Sequence, residues 1–263
     1  MPRFAANLSM MFNEVPFLDR FAASANAGFT GVEYLFPYDF PAETLAGQLH
    51  RHKLENVLFN LPPGDWTAGE RGITCLPGRE EEFRAGVAIA IDYARRLKTA
   101  QLHAMAGIVP QGASADAVHA TYIDNLRYAA TEFAKHGITL LIEAINTRDM
   151  PGFYLNTQAQ SHAVMQEVGA PNLKMQMDLY HMQIMEGDLE TTLRKYAAHC
   201  AHVQVAGVPK RHEPDTGEVN YSHLFDVLDE IGYAGWVGCE YRPAGKTVDG
   251  LGWFHSRAAH ALA

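Results

Sequence analysis

Four oxygen-bearing side chains occupy positions from which they could act together. Glu143 ends Leu-Leu-Ile-Glu, Asp178 ends Met-Gln-Met-Asp, Gln204 lies in His-Val-Gln-Val and Glu240 ends Val-Gly-Cys-Glu. Each sits at or near the end of a short apolar run of strand length, and consecutive members are 26 to 36 residues apart. That interval is roughly one strand plus one crossover helix, so four neighbouring strands of a parallel sheet would carry them. Three carboxylates in a partly dry cleft repel one another and each loses hydration, so a positive charge must offset them. A divalent cation is the simplest such charge. A donor set made wholly of oxygen selects Mg2+ or Mn2+ over zinc.

Other polar residues end apolar runs in the same way: Asn7, Glu33, Asn60 and His103. Asn7 and His103 are therefore further candidates for holding a substrate. So is His181, which follows Asp178 in Asp-Leu-Tyr-His and lies close to the proposed cation. Glu70 and Arg71 stand beside Trp66, and Lys210 and Arg211 follow a later strand. A lid over a polar site is served by an aromatic ring that excludes water and an Arg that binds an anion through two bonds. Most of the other histidines lie on helical stretches and read as surface or packed residues, and the chain has no H-E-x-x-H. Met175, Met177, Met182 and Met185 read as core and rim packing.

The elements that must position these residues alternate strictly. Strand-length apolar runs cover residues 4–8, 32–36, 54–59, 101–105, 138–143, 173–178, 201–205 and 236–240. Helical spacing fills the intervals at 15–27, 42–52, 79–97, 115–136, 158–168, 189–199 and 221–231, with a last stretch at 249–262. Gly28, Gly137 and Gly232 mark helix ends. No pair of runs is joined by a tight hairpin turn, which requires a parallel sheet. No G-x-G-x-x-G or G-x-x-x-x-G-K follows a strand, as a nucleotide-binding open sheet would have. The pattern predicts one closed (β/α)8 barrel over residues 1–263, of the TIM-barrel type. Three long connections, 61–78, 146–156 and 208–220, all follow strands and so share one rim, the rim where such barrels keep their chemistry.

Composition narrows the classes further. The chain is 48% hydrophobic and 19% charged, enough to bury one large core. A formal charge of −9 argues against nucleic acid or an anionic membrane as partner, since both need clustered Lys and Arg. It also argues against a metal-dependent nuclease on the same barrel, as does the small number of His at strand ends. No apolar stretch approaches the length of a membrane span or a leader, and Cys75, Cys200 and Cys239 read as free thiols. The expected setting is cytoplasmic. The expected partner is a small molecule, bound by a monomer or by a homo-oligomer of the barrel.

Several segments carry a resemblance. Residues 4–11, 32–38 (Val-Glu-Tyr-Leu-Phe-Pro-Tyr), 61–78, 178–187 (Asp-Leu-Tyr-His-Met-Gln-Ile-Met-Glu-Gly), 211–221, 235–241 (Gly-Trp-Val-Gly-Cys-Glu-Tyr) and 250–254 resemble the hydroxypyruvate isomerase family. That family is a branch of the xylose isomerase-like barrels, and the similarity runs from residue 4 to residue 254. The resemblance implies a divalent metal held by Glu143, Asp178, Gln204 and Glu240, the set found above. It also implies Glu143 and Glu240 as the paired proton donor and acceptor, interconverting hydroxypyruvate and 2-hydroxy-3-oxopropanoate through an enediolate. Related sugar epimerases commonly have His where Gln204 stands. Four-carbon 2-oxo-tetronate isomerases are also similar. Residues 61–84 and 142–153 lean towards hydroxypyruvate isomerase, whereas 102–107 and 203–214 lean towards the four-carbon enzyme. In either case the substrate is a small hydroxy-oxo acid whose carboxylate needs a cation, with Arg71 and Arg211 as candidates. A sugar-acid binding protein without catalysis is the reading of another class. It would be stabilised by the acid without exchanging its hydrogen for solvent deuterium.

Overall fold

The computed structural model describes residues 2–260. Eight parallel strands close on themselves in sequence order: β1 (Arg3–Asn7), β2 (Gly31–Glu33), β3 (Glu55–Asn60), β4 (Gln101–His103), β5 (Thr139–Glu143), β6 (Leu173–Asp178), β7 (Cys200–Val205) and β8 (Trp236–Cys239). The closing pair, β8 with β1, sets Phe4 opposite Val237 and Ala6 opposite Cys239. Closure leaves no sheet edge among these strands. The predicted barrel is the observed one.

The outer helices are α1 (Arg20–Asn26), α2 (Ala42–His52), α3 (Glu80–Leu97), α4 (Ala115–Ala134), α5 (Gln158–Val168), α6 (Leu179–Met185), α7 (Leu189–Tyr196), α8 (Tyr221–Glu230) and α9 (Gly252–His260). Helix α3 shows why the periodic stretches become helices. Phe83, Val87, Ala90, Ala94 and Leu97 recur every three or four residues and form its buried stripe. Glu80, Glu81 and Glu82 lie in its first turn and Arg95 and Arg96 in its last, each complementing the helix dipole. The main core lies between these stripes and the outer faces of the strands.

Differences from expectation are local. The stretch at 15–27 begins as a 3-10 turn, Phe17–Asp19, and is α-helical only from Arg20. Residues 197–199 are likewise 3-10. The last stretch is split into a 3-10 turn at Thr247–Gly250 and helix α9, and its expected end at 261–262 lies outside the described residues. The short helix α6, directly after β6, has no separate signal in the sequence. Its register continues from a strand whose residues are almost all buried, so no change of periodicity announces it. Among the described residues, no helix is long and apolar enough to cross a membrane. The three cysteines are free.

Candidate active site

A cavity of about 700 Å³ opens at the strand C-terminal rim. Its wall includes His103, Glu143, His181, Arg71, Arg211 and Glu240, with Tyr180 and Asp149 beside them. Each acid is placed by its strand. Glu143 is the last residue of β5, Asp178 the last of β6, and Glu240 follows β8 by one residue.

Asp178 also explains where α6 begins. Its Oδ1 accepts the Tyr180 N–H at 2.8 Å, capping the helix. That turn swings His181 back over the strand end, so that Glu143, Asp178 and His181 present ligand atoms all within 4.8 Å of one another. Asp178 Oδ2 and Glu143 Oε1 are buried without a hydrogen-bond partner. Two orphaned carboxylate oxygens facing each other's neighbourhood are costly unless a cation or a proton satisfies them. The residues present therefore fit a divalent ion.

The second nitrogen of His181 decides how the imidazole faces this cluster. Asn146 accepts the Asp149 N–H on Oδ1 at 2.7 Å, which turns its amide nitrogen towards His181 Nδ1 at 2.6 Å. Nδ1 therefore accepts, and the ring proton sits on Nε2, 3.5 Å from Asp178 Oδ2 and 3.8 Å from Glu143 Oε1. So placed, Nε2 is a hydrogen-bond donor at the mouth of the site. Burial, followed by the Arg211 and Arg148 charges, holds the His181 pKa well below the ordinary imidazole value, so it donates as a neutral ring. His103 is neutral for the same principal reason, its pKa pushed down to about 3 by burial. Its Nδ1 meets Asn60 Oδ1 at 3.2 Å, and its buried Nε2 has no hydrogen-bond partner.

Arg211 joins Glu240 to the cluster. Its Nη2 lies 3.4 Å from Glu240 Oε1 and 3.8 Å from Asp178 Oδ2, and its guanidinium covers the Tyr180 ring at 4.9 Å. The backbone there has φ +58°, a conformation that costs a non-glycine residue about 1 kcal/mol or more. It is held by Arg211 N–H to Gly207 O at 2.7 Å and by Arg242 N–H to Arg211 O at 2.8 Å. The guanidinium offsets part of the acidic charge, yet burial still raises all three carboxyls. Glu143 rises well above the usual range, with Glu240 and Asp178 adding to burial. Asp178 is pushed up to about 6 and Glu240 to about 8, burial outweighing the pull of Arg211.

Trp66 and Arg71 come together in the long loop after β3. Trp66 packs edge-on against Phe36 at 5.0 Å, and the Arg71 guanidinium lies 4.0 Å over the Trp66 ring. Arg71 Nη1 donates to the carbonyls of Trp66 and Glu70, and no carboxylate pairs with it among the described residues. It lines the cavity as a cation still able to bind an anion.

Two expected site residues lie elsewhere. Glu70 is turned outward to Arg79, at 2.7 Å, and accepts the Asp65 N–H, so it braces the lid and is absent from the cavity wall. Asn7 is inside the barrel, its amide donating to Glu33 at 3.0 Å. A nearby partner holds each of them away from the cavity, Arg79 for Glu70 and Glu33 for Asn7. Gln204 is register partner to Asp178, level with it on the adjacent strand, and its amide lies between Glu33 and Gln176; like Asp178, it stands behind the residues that form the cavity wall. Sequence reasoning passed over Asn146, Asp149 and Tyr180. Asn146 and Asp149 belong to the long loop 146–156, whose length was the one available signal. Tyr180 lies between Asp178 and His181, and its hydroxyl donates to Asp149 at 2.8 Å.

Over 253 residues the chain is 54% identical to the 2-oxo-tetronate isomerase of Cupriavidus necator, covering 96% of this chain and 97% of the relative. It is 53% identical over 253 residues to the hydroxypyruvate isomerase of Escherichia coli, covering 96% and 98%. A crystal structure described as AP endonuclease, family 2, from Brucella melitensis superposes with a TM-score of 0.96 at 56% identity, covering 97% of this chain and 99% of that one. The model of the xylose isomerase-like TIM barrel matches residues 21–257, and with that barrel now described strand by strand, the chain belongs to this family.

Proposed function

We propose that this chain is an isomerase of a small hydroxy-oxo acid, interconverting hydroxypyruvate and 2-hydroxy-3-oxopropanoate by proton transfer between Glu143 and Glu240. The observation that carries the reading is the pair itself: two buried carboxyls at the ends of β5 and β8 on the wall of one cavity, Glu143 raised well above the usual carboxyl range by burial and Glu240 pushed up to about 8. A carboxyl tuned in that direction exchanges protons with carbon and oxygen more readily than an ordinary surface acid. Glu143, Asp178 and Glu240, with the Gln204 oxygen, are the residues that would hold a divalent ion, Mg2+ or Mn2+ by the hardness of the donors. When bound, such an ion supplies Lewis-acid stabilisation of the negative oxygens that develop in the reacting acid.

The chain's own groups do the rest. One glutamate removes the proton on C3 of hydroxypyruvate, leaving an enediolate, and a proton is returned at C2. The hydroxyl proton passes from the C3 oxygen to the C2 oxygen, so atoms balance within one molecule. His181 Nε2–H donates to a substrate oxygen, and the open Nε2 of His103 accepts from a substrate hydroxyl. Arg71 binds the carboxylate, because Arg211 is engaged with Glu240 and Asp178. Trp66 and Phe36 shield the enediolate from water.

The 54% identity to the Cupriavidus necator relative favours a second reading at the same site, 2-oxo-tetronate as substrate. Offering both acids in D2O, with Mg2+ or with a chelator, and following products by NMR tests both. Faster turnover of one acid with deuterium at the receiving carbon names the substrate. Stabilisation by the acid without turnover means a binding protein, and label moving between carbons without exchange means hydride transfer.

A further inference from the structure

Beneath the acidic cluster the barrel interior is polar, where such interiors are ordinarily filled by branched apolar side chains. Glu33, at the end of β2, is 1% exposed. Its carboxylate gathers three donors: Asn7 Nδ2 at 3.0 Å and Gln204 Nε2 at 2.8 Å on Oε1, and His202 Nε2 at 2.7 Å on Oε2. His202 Nδ1 accepts from Gln101 Nε2 at 3.1 Å, which leaves the ring proton on Nε2 for Glu33. Beyond Gln204, its Oε1 accepts from Gln176 Nε2 at 2.6 Å. The barrel makes room for this carboxylate. A Cβ on Gly238 of β8 would fall 2.3 Å from Glu33 Oε2 and 2.5 Å from Oε1.

A carboxylate accepts and cannot donate, so only the amide nitrogen of Gln204 can face Glu33. The carbonyl oxygen must then face the other way. It turns to Gln176 on β6, the strand that ends in Asp178, and Asp178 is the register partner of Gln204. Without an acceptor-only neighbour, the amide could turn over and present its N–H groups to a cation, which would be repelled. We propose that Glu33 is a positioning residue that sets the polarity of the Gln204 amide, so that its oxygen faces the side of a bound divalent ion. The inference rests on the proposed reading that this cluster holds such an ion. Burying a carboxylate is expensive, and fixing a ligand's orientation is a return that an apolar residue at position 33 could not provide.

The test is Mn2+ affinity of the full chain, measured by calorimetry and by the loss of the free-ion electron paramagnetic resonance signal. Wild type, E33Q, Q204A and E33Q/Q204A are compared, with melting in chelator as the check of folding. Loss of the outer-shell partner should weaken Mn2+ binding about 10- to 100-fold in E33Q. Because the effect travels through Gln204, the double variant should bind within about three-fold of Q204A. A folded E33Q with wild-type affinity overturns the proposal, and so do losses that multiply in the double variant. If E33Q does not fold, G238A takes its place in the cycle, since it displaces the Glu33 carboxylate without changing its charge. Weakened binding that disappears as a separate effect in the Q204A background then supports the role, and unchanged binding overturns it. A wild-type chain that binds no Mn2+ overturns both this inference and the reading beneath it, an outcome distinct from the loss of this inference alone.

Discussion

Loading the site with Mn2+ is expected to release protons, and the affinity for the ion is expected to climb steeply with pH. Asp178 is pushed up to about 6 and Glu240 to about 8, and Glu143 stands well above its ordinary 4.5. At pH 7 Asp178 is mostly ionised, while Glu240 holds a proton that a coordinated ion must displace. For Glu240 alone, the ionised fraction is about one half at pH 8 and about one in a hundred at pH 6. Apparent affinity should therefore fall about 50-fold between those pH values, and further where Glu143 must also deprotonate. Calorimetry at pH 7 in two buffers of different ionisation enthalpy reports the protons directly, with about one expected per ion from Glu240. The same shifts act on folding without metal. Carboxyls with raised pKa values bind protons more tightly in the folded chain, so their contribution is fully favourable below the unfolded values of 3.8 and 4.5. It is lost as pH climbs through about 6 for Asp178 and about 8 for Glu240, a change on the order of a few kcal/mol. Melting of the chelated protein should accordingly drop from pH 5 to pH 8, while the increase on adding Mn2+ grows. Equal Mn2+ affinity at pH 6 and pH 8 with no proton released would refute the reasoning.

Three further outcomes follow from particular contacts. E240Q should keep its circular dichroism spectrum and lose about 10²- to 10⁴-fold in turnover, the range for removing a general acid or base; wild-type kcat would take Glu240 out of the chemistry. R71M should raise KM for the acid about 10- to 100-fold, the worth of a charge-assisted contact to a carboxylate, while lowering kcat far less; an unchanged KM in steady-state kinetics would move carboxylate binding away from the lid. Gly72 has φ +101°, and a Cβ there would fall 2.3 Å from Met105 O, so G72A should destabilise the chain by roughly 2–4 kcal/mol. Thermal melting checks this, and a Tm within a degree of wild type would mean that the lid loop rearranges freely.

Much of the site was legible because barrel topology converts spacing into position. Once eight strands alternate with eight helical stretches, a polar residue at the end of an apolar run has few places to go. Glu143, Asp178 and Glu240 went where that logic sends them. Loops were harder to read. Arg71 reached the cavity while its neighbour Glu70 turned away to Arg79, and residue type does not decide between those directions because local ion pairs compete for each side chain.

The sequence by itself determined the closed barrel, the rim that bears the long loops and the strands that carry the acids. Those features follow from hydrophobic periodicity and connection length, which are properties of the chain taken in order. Tertiary structure alone decided the direction of each hydrogen bond. His181 donates from Nε2 because Asn146, thirty-five positions earlier, occupies Nδ1. Glu33 reaches Gln204 across 171 positions because Gly238 leaves it room. Such pairings depend on which donors and acceptors folding brings within 3 Å, and separation along the chain carries no information about that.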